Sequence, residues 1–508
     1  MSNQIHIIQN AITTTISEIF RGDFRRICEV KKAVLHLEAI YFCHGTCYLL
    51  KRENMPIKDQ LALYQRIELI PQSTTEFFEN NRECIINNWP EESALAAKPE
   101  ILYDALLASE FCVQPERVGY KNDKVSRDIA GAYYTSSDFS AQITYRALES
   151  YMDRKRRRAI DSDSFACCNE YENITFLDYS CGCGEFLLAV IQYFDNHVLG
   201  YSRKKLATQL RGVDVNPIAL MITIARIVSA VEAEDDENLL REVAKNFIVG
   251  NPLLHSDKIA PLEVRFDNFA LNRLYAETEG INCLELEQQN LVVLGNPPWE
   301  KLRFEERAFF RPVCPAISAI SQKNKREKEI KKLAVNWLEL LEYYQLLQDD
   351  YASVKKEIPK HPLLKVSLVG ELNTYAMFAE LASRLTEKDG FAAIIVKSAL
   401  VTSTCYSSCF RHFVNQGSLS EMFLFDNREK LFQIDSREKF CVLFFGGEHA
   451  GGIKVHYGLT KQEQILSSVP INVTSEELEL INPETGLLPN VADSKEFSFL
   501  LRTHRLLS

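Results

Sequence analysis

The chain has 508 residues, of which 46% are hydrophobic and 25% are charged. This is an ordinary composition for a globular protein, and the length allows two or three domains with a large core. The net charge of −11 excludes a protein that coats nucleic acid over its whole surface, because most of that surface would repel phosphates.

The sequence carries no targeting signal that we can identify. Its first residues, MSNQIHIIQN, lack the basic start and apolar run of a signal peptide, and no uncharged stretch is long enough to span a bilayer. The 14 cysteines are scattered without a framework spacing, so we expect reduced thiols in a cytoplasmic protein without a membrane partner. Cys43 and Cys47, with His44 between them, lack a second pair of ligands, and we predict no metal site.

Three zones follow one another along the chain. Residues 1–125 carry helix-spaced apolar positions, as in ICEVKKAVLHLEAIYF, which predicts a mostly helical N-terminal domain. From 126 to 460, short β-rich runs such as NITFLDYS and NLVVLGN alternate with helical patterns, which predicts an α/β domain with a parallel sheet. The charged segment from about 302 to 365 predicts a helical insertion. Residues 461–508, which are rich in turn signals, predict a connector toward a further domain.

Two basic runs contrast with the negative net charge of the chain. They are RKRRR, from Arg154 to Arg158, and KNKREKEIKK, from Lys323 to Lys332. For each run on its own, the expected structure is a solvated helix face. A cleft lined by positive charge would still be compatible with DNA binding, because the charge of the contact patch matters more than the total charge of the protein.

The first candidate site is FLDYSCGCGEFLLAV, residues 176 to 190, which predicts a strand ending at Asp178, a glycine loop and an apolar helix. Gly182 and Gly184 would let a ligand approach the backbone closely, and the helix N-terminus offers free N–H groups. The third glycine of the dinucleotide fingerprint is missing, because position 187 is Leu. The loop therefore favours an adenosine-like ligand over a pyrophosphate.

The next two predicted strands also end in polar side chains. Asp214 in GVDVNP could hold both hydroxyls of a ribose, and Asn251 in VGNPLL could contact an adenine amino group. Each motif alone is equally compatible with a plain strand-end turn. Because the carboxyl ends of parallel strands meet at one edge of a sheet, the series predicts one shared ligand crevice.

The stretch LVVLGNPPWEK, residues 291 to 301, predicts a buried strand that stops on Asn296, Pro297, Pro298 and Trp299. Two prolines end any strand, because neither has an N–H to donate to the ladder. The turn presents one amide and one large ring. A lone Trp most often packs in a core, but directly after Asn-Pro-Pro a ligand-facing role is favoured.

These stretches occur in an order that resembles the gamma class of S-adenosylmethionine-dependent DNA adenine-N6 methyltransferases. The closest resemblance is to the modification parts of type IIG restriction enzymes and to related phage-defence methylases. It covers roughly residues 126 to 490 and extends to GAYYTSSDFSAQITYR (131–146), LFQIDSREKFCVLFF (431–445) and ELINPETGLLPN (479–490). It implies a Rossmann-like methyltransferase sheet with helices on both faces, and methyl transfer from S-adenosyl-L-methionine to N6 of an adenine flipped out of double-stranded DNA.

The resemblance also implies roles for single residues toward the cofactor. Thr135 would help to hold the methionine carboxylate, Asp214 would hold the ribose, and Asn251 would lie beside the adenine, where the family usually has Asp. The loop from Asp178 to Gly182 would line the methionine part. The implied cofactor-binding set is Tyr134, Thr135, Asp178, Ser180, Gly182, Gly184, Asp214, Val215, Asn251 and Asn296.

The implied catalytic set is Asn296, Pro297, Pro298 and Trp299. The Asn296 side-chain oxygen and the Pro297 carbonyl would accept hydrogen bonds from the target amine. Trp299 would stack on one face of the flipped base, and Phe432 on the other.

Two alternative functions remain open. Release-factor glutamine methyltransferases carry a similar Asn-Pro-Pro turn and methylate a planar amide nitrogen, but they are shorter and normally end the turn in Tyr. The chain could also be a regulatory or DNA-binding subunit. In single-chain relatives a recognition domain follows the segment that resembles ELINPETGLLPN. We therefore expect either a truncated form here or a recognition or defence-system partner subunit that supplies that domain.

A nuclease, which type IIG relatives often carry at the N-terminus, is not expected in this chain. CEVKK contains Glu29 and Lys31, but no acid-bearing strand precedes them. The surrounding pattern is helical, and helix-surface charge explains both residues better.

Overall fold

A computed structural model of the protein describes residues 2–96, 98–122, 135–161, 171, 173–257, 259–273, 280–282, 290–386, 389–446 and 451–507. Tyr134, one of the implied cofactor-binding residues, lies outside these ranges. In the part that is described, no helix is both long enough and apolar enough to cross a membrane. The chain divides into two compact units. The first unit comprises Met1–Gly131, Val213–Ile281 and Leu302–Ile358, and the second comprises Ala132–Gly212, Asn282–Lys301 and Pro359–Ser508.

The first unit begins with helices and a hairpin. Its helices up to Leu107 are α1 (Ser2–Ile19), α2 (Ile27–Leu49), α3 (Ile57–Arg66), α4 (Gln72–Asn80), α5 (Arg82–Asn87), α6 (Glu92–Leu95) and α7 (Pro99–Leu107). The hairpin is β1 (Ser109–Gln114) paired antiparallel with β2 (Arg117–Asn122). The mostly helical N-terminal region is confirmed. The hairpin was missed, because two short runs with mixed side chains give little periodic signal.

The first unit also contains two later parts of the chain. Between Val213 and Ile281 lie α11 (Pro217–Ala230), α12 (Glu237–Ala244), β5 (Phe247–Val249), β6 (Asn251–His255), α13 (Leu262–Ala270) and β7 (Gly280–Ile281). The segment Leu302–Ile358 is helical and contains α14 (Glu306–Val313), α15 (Pro315–Ser318), α16 (Lys323–Asn336) and α17 (Leu338–Glu357).

The second unit contains most of the strands. Up to Lys301 its elements are α8 (Ser137–Asp161), β3 (Thr175–Asp178), α9 (Glu185–His197), α10 (Arg203–Gln209), the start of β4 (Leu210–Asp214) and β8 (Leu291–Gly295). After Pro359 they are α18 (Thr374–Leu385), β9 (Phe391–Lys397), α19 (Ala399–Thr402), α20 (Ser407–Asn415), β10 (Leu419–Asp426), β11 (Lys439–Phe445), β12 (Ile453–Leu459), α21 (Gln464–Ser467), β13 (Ile471–Val473), α22 (Ser475–Ile481) and α23 (Ser494–Leu507).

The main sheet has the strand order β13-β12-β10-β11-β9-β8-β3-β4-β5. β3 runs parallel to β4 and β8, and β8 runs parallel to β9, whereas β11 is antiparallel to β9 and β10. The predicted α/β sheet is therefore confirmed, with two antiparallel exceptions, β11 near its centre and β13 at its edge, where it pairs with β12. The strand order reverses between β3 and β8, and ligands of open α/β sheets bind at such a reversal.

Polar residues end the parallel strands as predicted, with one exception. β3 ends at Asp178, β4 ends at Asp214, and Asn296 directly follows β8. The exception is Asn251, because β5 already ends at Val249. Asn251 instead begins β6, which pairs with β7 in a separate two-stranded sheet.

The basic run on α8 is not simply a solvated helix face. The Arg154 side chain is buried and donates to the carbonyl oxygens of Asp389 at 2.7 Å, Gly390 at 2.8 Å and Gly446. These carbonyls precede β9 and follow β11, so one guanidinium joins the ends of two neighbouring strands to α8. Arg326 of the second run is buried as well.

Arg154→Ala will lower the free energy of unfolding by about 3 kcal/mol, because a hydrogen bond to a charged group contributes about 1.5–3 kcal/mol and three carbonyls lose their donor. Urea denaturation followed by circular dichroism measures the change. Arg156→Ala is the control on the same helix, since Arg156 is half-exposed and pairs with Asp153 at 3.3 Å, a contact that contributes about 0–1 kcal/mol. Equal losses in both variants would contradict the structural role of Arg154.

Candidate active site

The Asn296–Trp299 turn is held in place by α18. The Thr374 hydroxyl, at the start of that helix, donates to the Pro298 carbonyl at 2.5 Å and accepts from the Glu300 backbone N–H at 2.8 Å. The Thr374 N–H donates in turn to the Glu300 carbonyl at 2.9 Å. The turn is therefore fixed on both sides of Trp299, in addition to the fixed φ angles of its prolines. Sequence reasoning missed Thr374, whose spacing of 78 positions from Asn296 gives no local signal.

The Asn296 side chain is oriented by Thr135. Its Nδ2 donates to Thr135 Oγ1 at 3.1 Å, and Thr135 is buried. Because an amide is planar, a held nitrogen also sets the direction of Oδ1, which points away from Thr135. The structure thus brings together one residue expected at the cofactor and one expected at the target base.

Asp178 and Gly295 form a close contact between β3 and β8. The Asp178 carboxylate is buried, and its Oδ1 accepts from the Ser180 N–H at 3.0 Å. A Cβ atom on Gly295 would lie 2.8 Å from Asp178 Oδ1 and 3.2 Å from its Cγ. A side chain at position 295 would therefore displace the carboxylate. Sequence reasoning missed Gly295, although a glycine at the end of an apolar strand is a signal for close approach.

The loop after Asp178 has the properties that a ligand requires. The Ser180 hydroxyl oxygen is buried and has no hydrogen-bond partner within the described residues. Gly182 and Gly184 have φ angles of +51° and +87°, and a Cβ atom on Gly182 would meet nothing within 4 Å. A buried hydroxyl without a partner costs about 1–3 kcal/mol, so a polar ligand at the loop would relieve an existing penalty. S-adenosyl-L-methionine, with its charged methionine part, fits these residues.

The first unit contains the other implied cofactor residues. Asp214 Oδ1 accepts from the Asn216 N–H at 2.9 Å, and Asn216 in turn caps α11. Val215, between them, exposes 37% of its surface. Asn251 Oδ1 accepts from the Leu253 N–H at 3.0 Å. In both turns the side chain is fixed by the backbone two residues further on, as is usual for Asx turns.

The two aromatic residues expected to hold a base contact each other directly. Trp299 and Phe432 are 5% and 1% exposed, and their ring centroids lie 5.4 Å apart with the planes at 70°. Trp299 Nε1 donates to the Ile395 carbonyl at 3.3 Å. A base held between two rings needs them about 7 Å apart, because each stacked face takes about 3.5 Å. In this structure the rings would have to separate before a base could enter.

Two titratable groups beside the predicted residues have shifted pKa values. Burial raises the pKa of the Glu300 carboxyl, directly after Trp299, to about 7. Burial and the neighbouring Asp178 raise the pKa of Tyr179 well above its usual value, and its hydroxyl donates to the Phe378 carbonyl at 3.1 Å. Tyr179 is therefore a neutral donor that fixes the backbone after β3, whereas Glu300 titrates near neutral pH.

Three solved structures illustrate what the chain is similar to. A DrdV–DNA complex is 11% identical with a TM-score of 0.50, over 93% of this chain and 44% of that one. A nuclease-deletion mutant of the type ISP restriction-modification enzyme LlaGI, in complex with a DNA substrate mimic, is 13% identical with a TM-score of 0.46, over 91% and 35%. A putative class I S-adenosylmethionine-dependent methyltransferase from Listeria monocytogenes is 11% identical with a TM-score of 0.38, over 92% and 97%.

Sequence comparison adds nothing to this likeness, since no protein-family model and no curated protein matches the chain. The chain spans less than half the length of the DrdV and LlaGI chains. At 11% identity the likeness to DrdV shows the fold alone. That likeness agrees with a mostly parallel sheet whose order reverses between β3 and β8. The chain has an α/β methyltransferase fold.

Proposed function

We propose that this chain is a gamma-class DNA adenine-N6 methyltransferase of a restriction-modification or phage-defence system. The observation that carries the proposal is the oriented Asn296 amide, which follows a central parallel strand and is fixed by Thr135. The fold likeness to a DrdV chain solved with DNA supports DNA as the substrate.

The cofactor in this proposal is S-adenosyl-L-methionine, which supplies an electrophilic methyl group on a sulfonium. The loop from Asp178 to Gly184 would hold its methionine part, with the Ser180 hydroxyl gaining a partner. Asp214 would hold the ribose hydroxyls, as acids at strand ends do in dinucleotide folds. Val215 and Asn251 would lie near the adenine.

Asn296 and Pro297 act on the target amine. The exocyclic nitrogen of adenine is a poor nucleophile, because its lone pair is delocalised into the ring. The Asn296 Oδ1 and the Pro297 carbonyl oxygen would each accept a hydrogen bond from one of its two N–H groups. These two bonds would draw the nitrogen toward tetrahedral geometry. Positioned acceptors of this kind lower the barrier without a strong base.

Trp299 and Phe432 are proposed to receive the flipped base. Flipping costs a few kcal/mol of unstacking, and one base–aromatic stack returns about 1–3 kcal/mol. Because the two rings contact each other at 5.4 Å, base entry must be coupled to their separation. Phe432 lies in the chain between β10 and β11. Its backbone N–H and carbonyl are both hydrogen-bonded to the Asn427 side chain, so we expect residues 427 to 432 to move together.

The direct test is incubation with isotope-labelled S-adenosyl-L-methionine and unmethylated DNA, alone and with the products of neighbouring genes. Mass spectrometry of the digested DNA should reveal N6-methyladenine. Label on a protein glutamine would support the amide-methylating alternative. Cofactor binding without any transfer, with every partner present, would support a regulatory or DNA-binding subunit.

Asp214→Ala will weaken binding of S-adenosyl-L-methionine by about 10–100-fold, the equivalent of a lost hydrogen bond to a charged group at about 1.5–3 kcal/mol. Titration calorimetry measures the affinity without requiring DNA or a partner. Asp257→Ala is the matched control, because that carboxylate is 87% exposed. Unchanged affinity in Asp214→Ala would remove Asp214 from the cofactor site.

A further inference from the structure

Helix α16 (Lys323–Asn336) has a charge opposite to that of the protein as a whole. Its 14 residues include six basic and two acidic side chains, a net charge of +4. The complete chain carries −11. The helix is therefore a local positive surface on an acidic protein, and such a surface governs which partners approach it.

One face of α16 is buried and anchored. Arg326 is buried, forms an ion pair with Glu306, and donates to the Ile320 carbonyl at 2.9 Å. Ile330 and Leu333 are buried on the same side, since positions 326, 330 and 333 recur at helical spacing. The remaining charges of the helix are thus held in a fixed orientation.

The opposite face of α16 consists of exposed lysines. Helical periodicity puts Lys328 and Lys331 opposite the buried positions, with Lys325 and Lys332 on one flank. Lys332 pairs with Glu329 at 2.7 Å, and Lys323 is 3.9 Å from Glu327. Within the described residues no ion pair engages Lys325, Lys328 or Lys331, so these three charges are available to a partner.

We propose that α16 binds the phosphate backbone of double-stranded DNA through Lys325, Lys328 and Lys331. This assignment rests on the proposed function, which makes DNA the substrate. From Lys325 to Lys331 the helix rises about 9 Å at 1.5 Å per residue. One strand of duplex DNA presents about three phosphates over that length, which matches the three lysines in number and spacing.

The composition of this face favours DNA over an acidic protein. Protein interfaces are depleted of charged residues in their core and depend on aromatic or aliphatic anchors. Of the side chains that α16 presents opposite its buried face, Val335 alone is apolar. Lysine is a flexible point charge suited to phosphate oxygens, and such contacts position a protein without reading sequence.

The test is binding of a fluorescent, non-specific 30-base-pair duplex to the full chain between 50 and 200 mM salt. The variant is Lys325→Gln with Lys328→Gln and Lys331→Gln, in which glutamine preserves helix propensity. We expect a weakening of about 10-fold or more at 50 mM salt, and a log–log salt slope shallower by about 3, one unit per phosphate contact. The corresponding triple arginine variant should bind like the parent.

The control variant replaces Lys245, Lys454 and Lys461, exposed lysines on other parts of the chain, by glutamine. It changes the total charge equally. Equal weakening in both triple variants would overturn the proposal, because net charge would then explain the effect. A parental slope in the α16 variant would overturn it while leaving the proposed function intact. A parent that binds no duplex, even with its partners, would count against DNA as substrate and so overturn both.

Discussion

Asn296→Ala will lower the single-turnover rate of methyl transfer by about 10²–10³-fold, the loss measured when one preorganised polar group is removed from an oxyanion site. The proposed reason is that its amide accepts a hydrogen bond from the target amine as that amine becomes nucleophilic. Loss of an interaction that is made only in the transition state lowers the rate without altering ground-state binding. The affinity for S-adenosyl-L-methionine should therefore stay close to the parental value.

Single-turnover kinetics on a DNA substrate, with whatever partner proves necessary, measure the rate of methyl transfer. Calorimetry measures the affinity for the cofactor. Asn415→Ala is a suitable control, since that side chain is exposed at the end of α20. If Asn296→Ala transfers methyl groups at the parental rate, the turn after β8 is not the catalytic site. If it loses cofactor affinity to the same extent as rate, Asn296 belongs to the cofactor site instead.

Gly295→Ala will affect both stability and cofactor binding, although it adds one methyl group. The new Cβ atom would lie 2.8 Å from Asp178 Oδ1, so the buried carboxylate must move. Overpacking of this kind costs about 1–3 kcal/mol of folding free energy. Displacing Asp178 should also weaken binding of S-adenosyl-L-methionine by about 10-fold or more, as for loss of one hydrogen bond to a charged group.

Urea denaturation and calorimetry measure the two effects separately. Gly119→Ala is the matched strand-glycine control, because the nearest atom to its added Cβ is Thr13 Cγ2 at 4.0 Å. A loss of stability in Gly295→Ala with parental cofactor affinity would show that Asp178 is a structural residue. Parental values for both would show that the Asp178 side chain adapts without cost.

Much of the fold was determined by local sequence chemistry. Prolines 297 and 298 end β8 because they lack an N–H, and positive φ angles at Gly182 and Gly184 are what a tight loop before α9 requires. Apolar runs with polar ends predicted β3, β4 and β8. These features depend on residues that are neighbours in the chain, so the sequence was sufficient to find them.

Tertiary structure alone decided how distant residues meet. The sequence could not indicate that Thr374 anchors the turn, that Thr135 orients Asn296, or that Gly295 makes room for Asp178. Within each basic run, it could not distinguish the buried arginine from the more exposed basic residues around it, because burial depends on which carbonyls and carboxylates the fold brings near. The edge-to-face contact of Trp299 and Phe432 has the same origin, since their 133-residue separation is closed only by the pairing of β9 with β8 and β11.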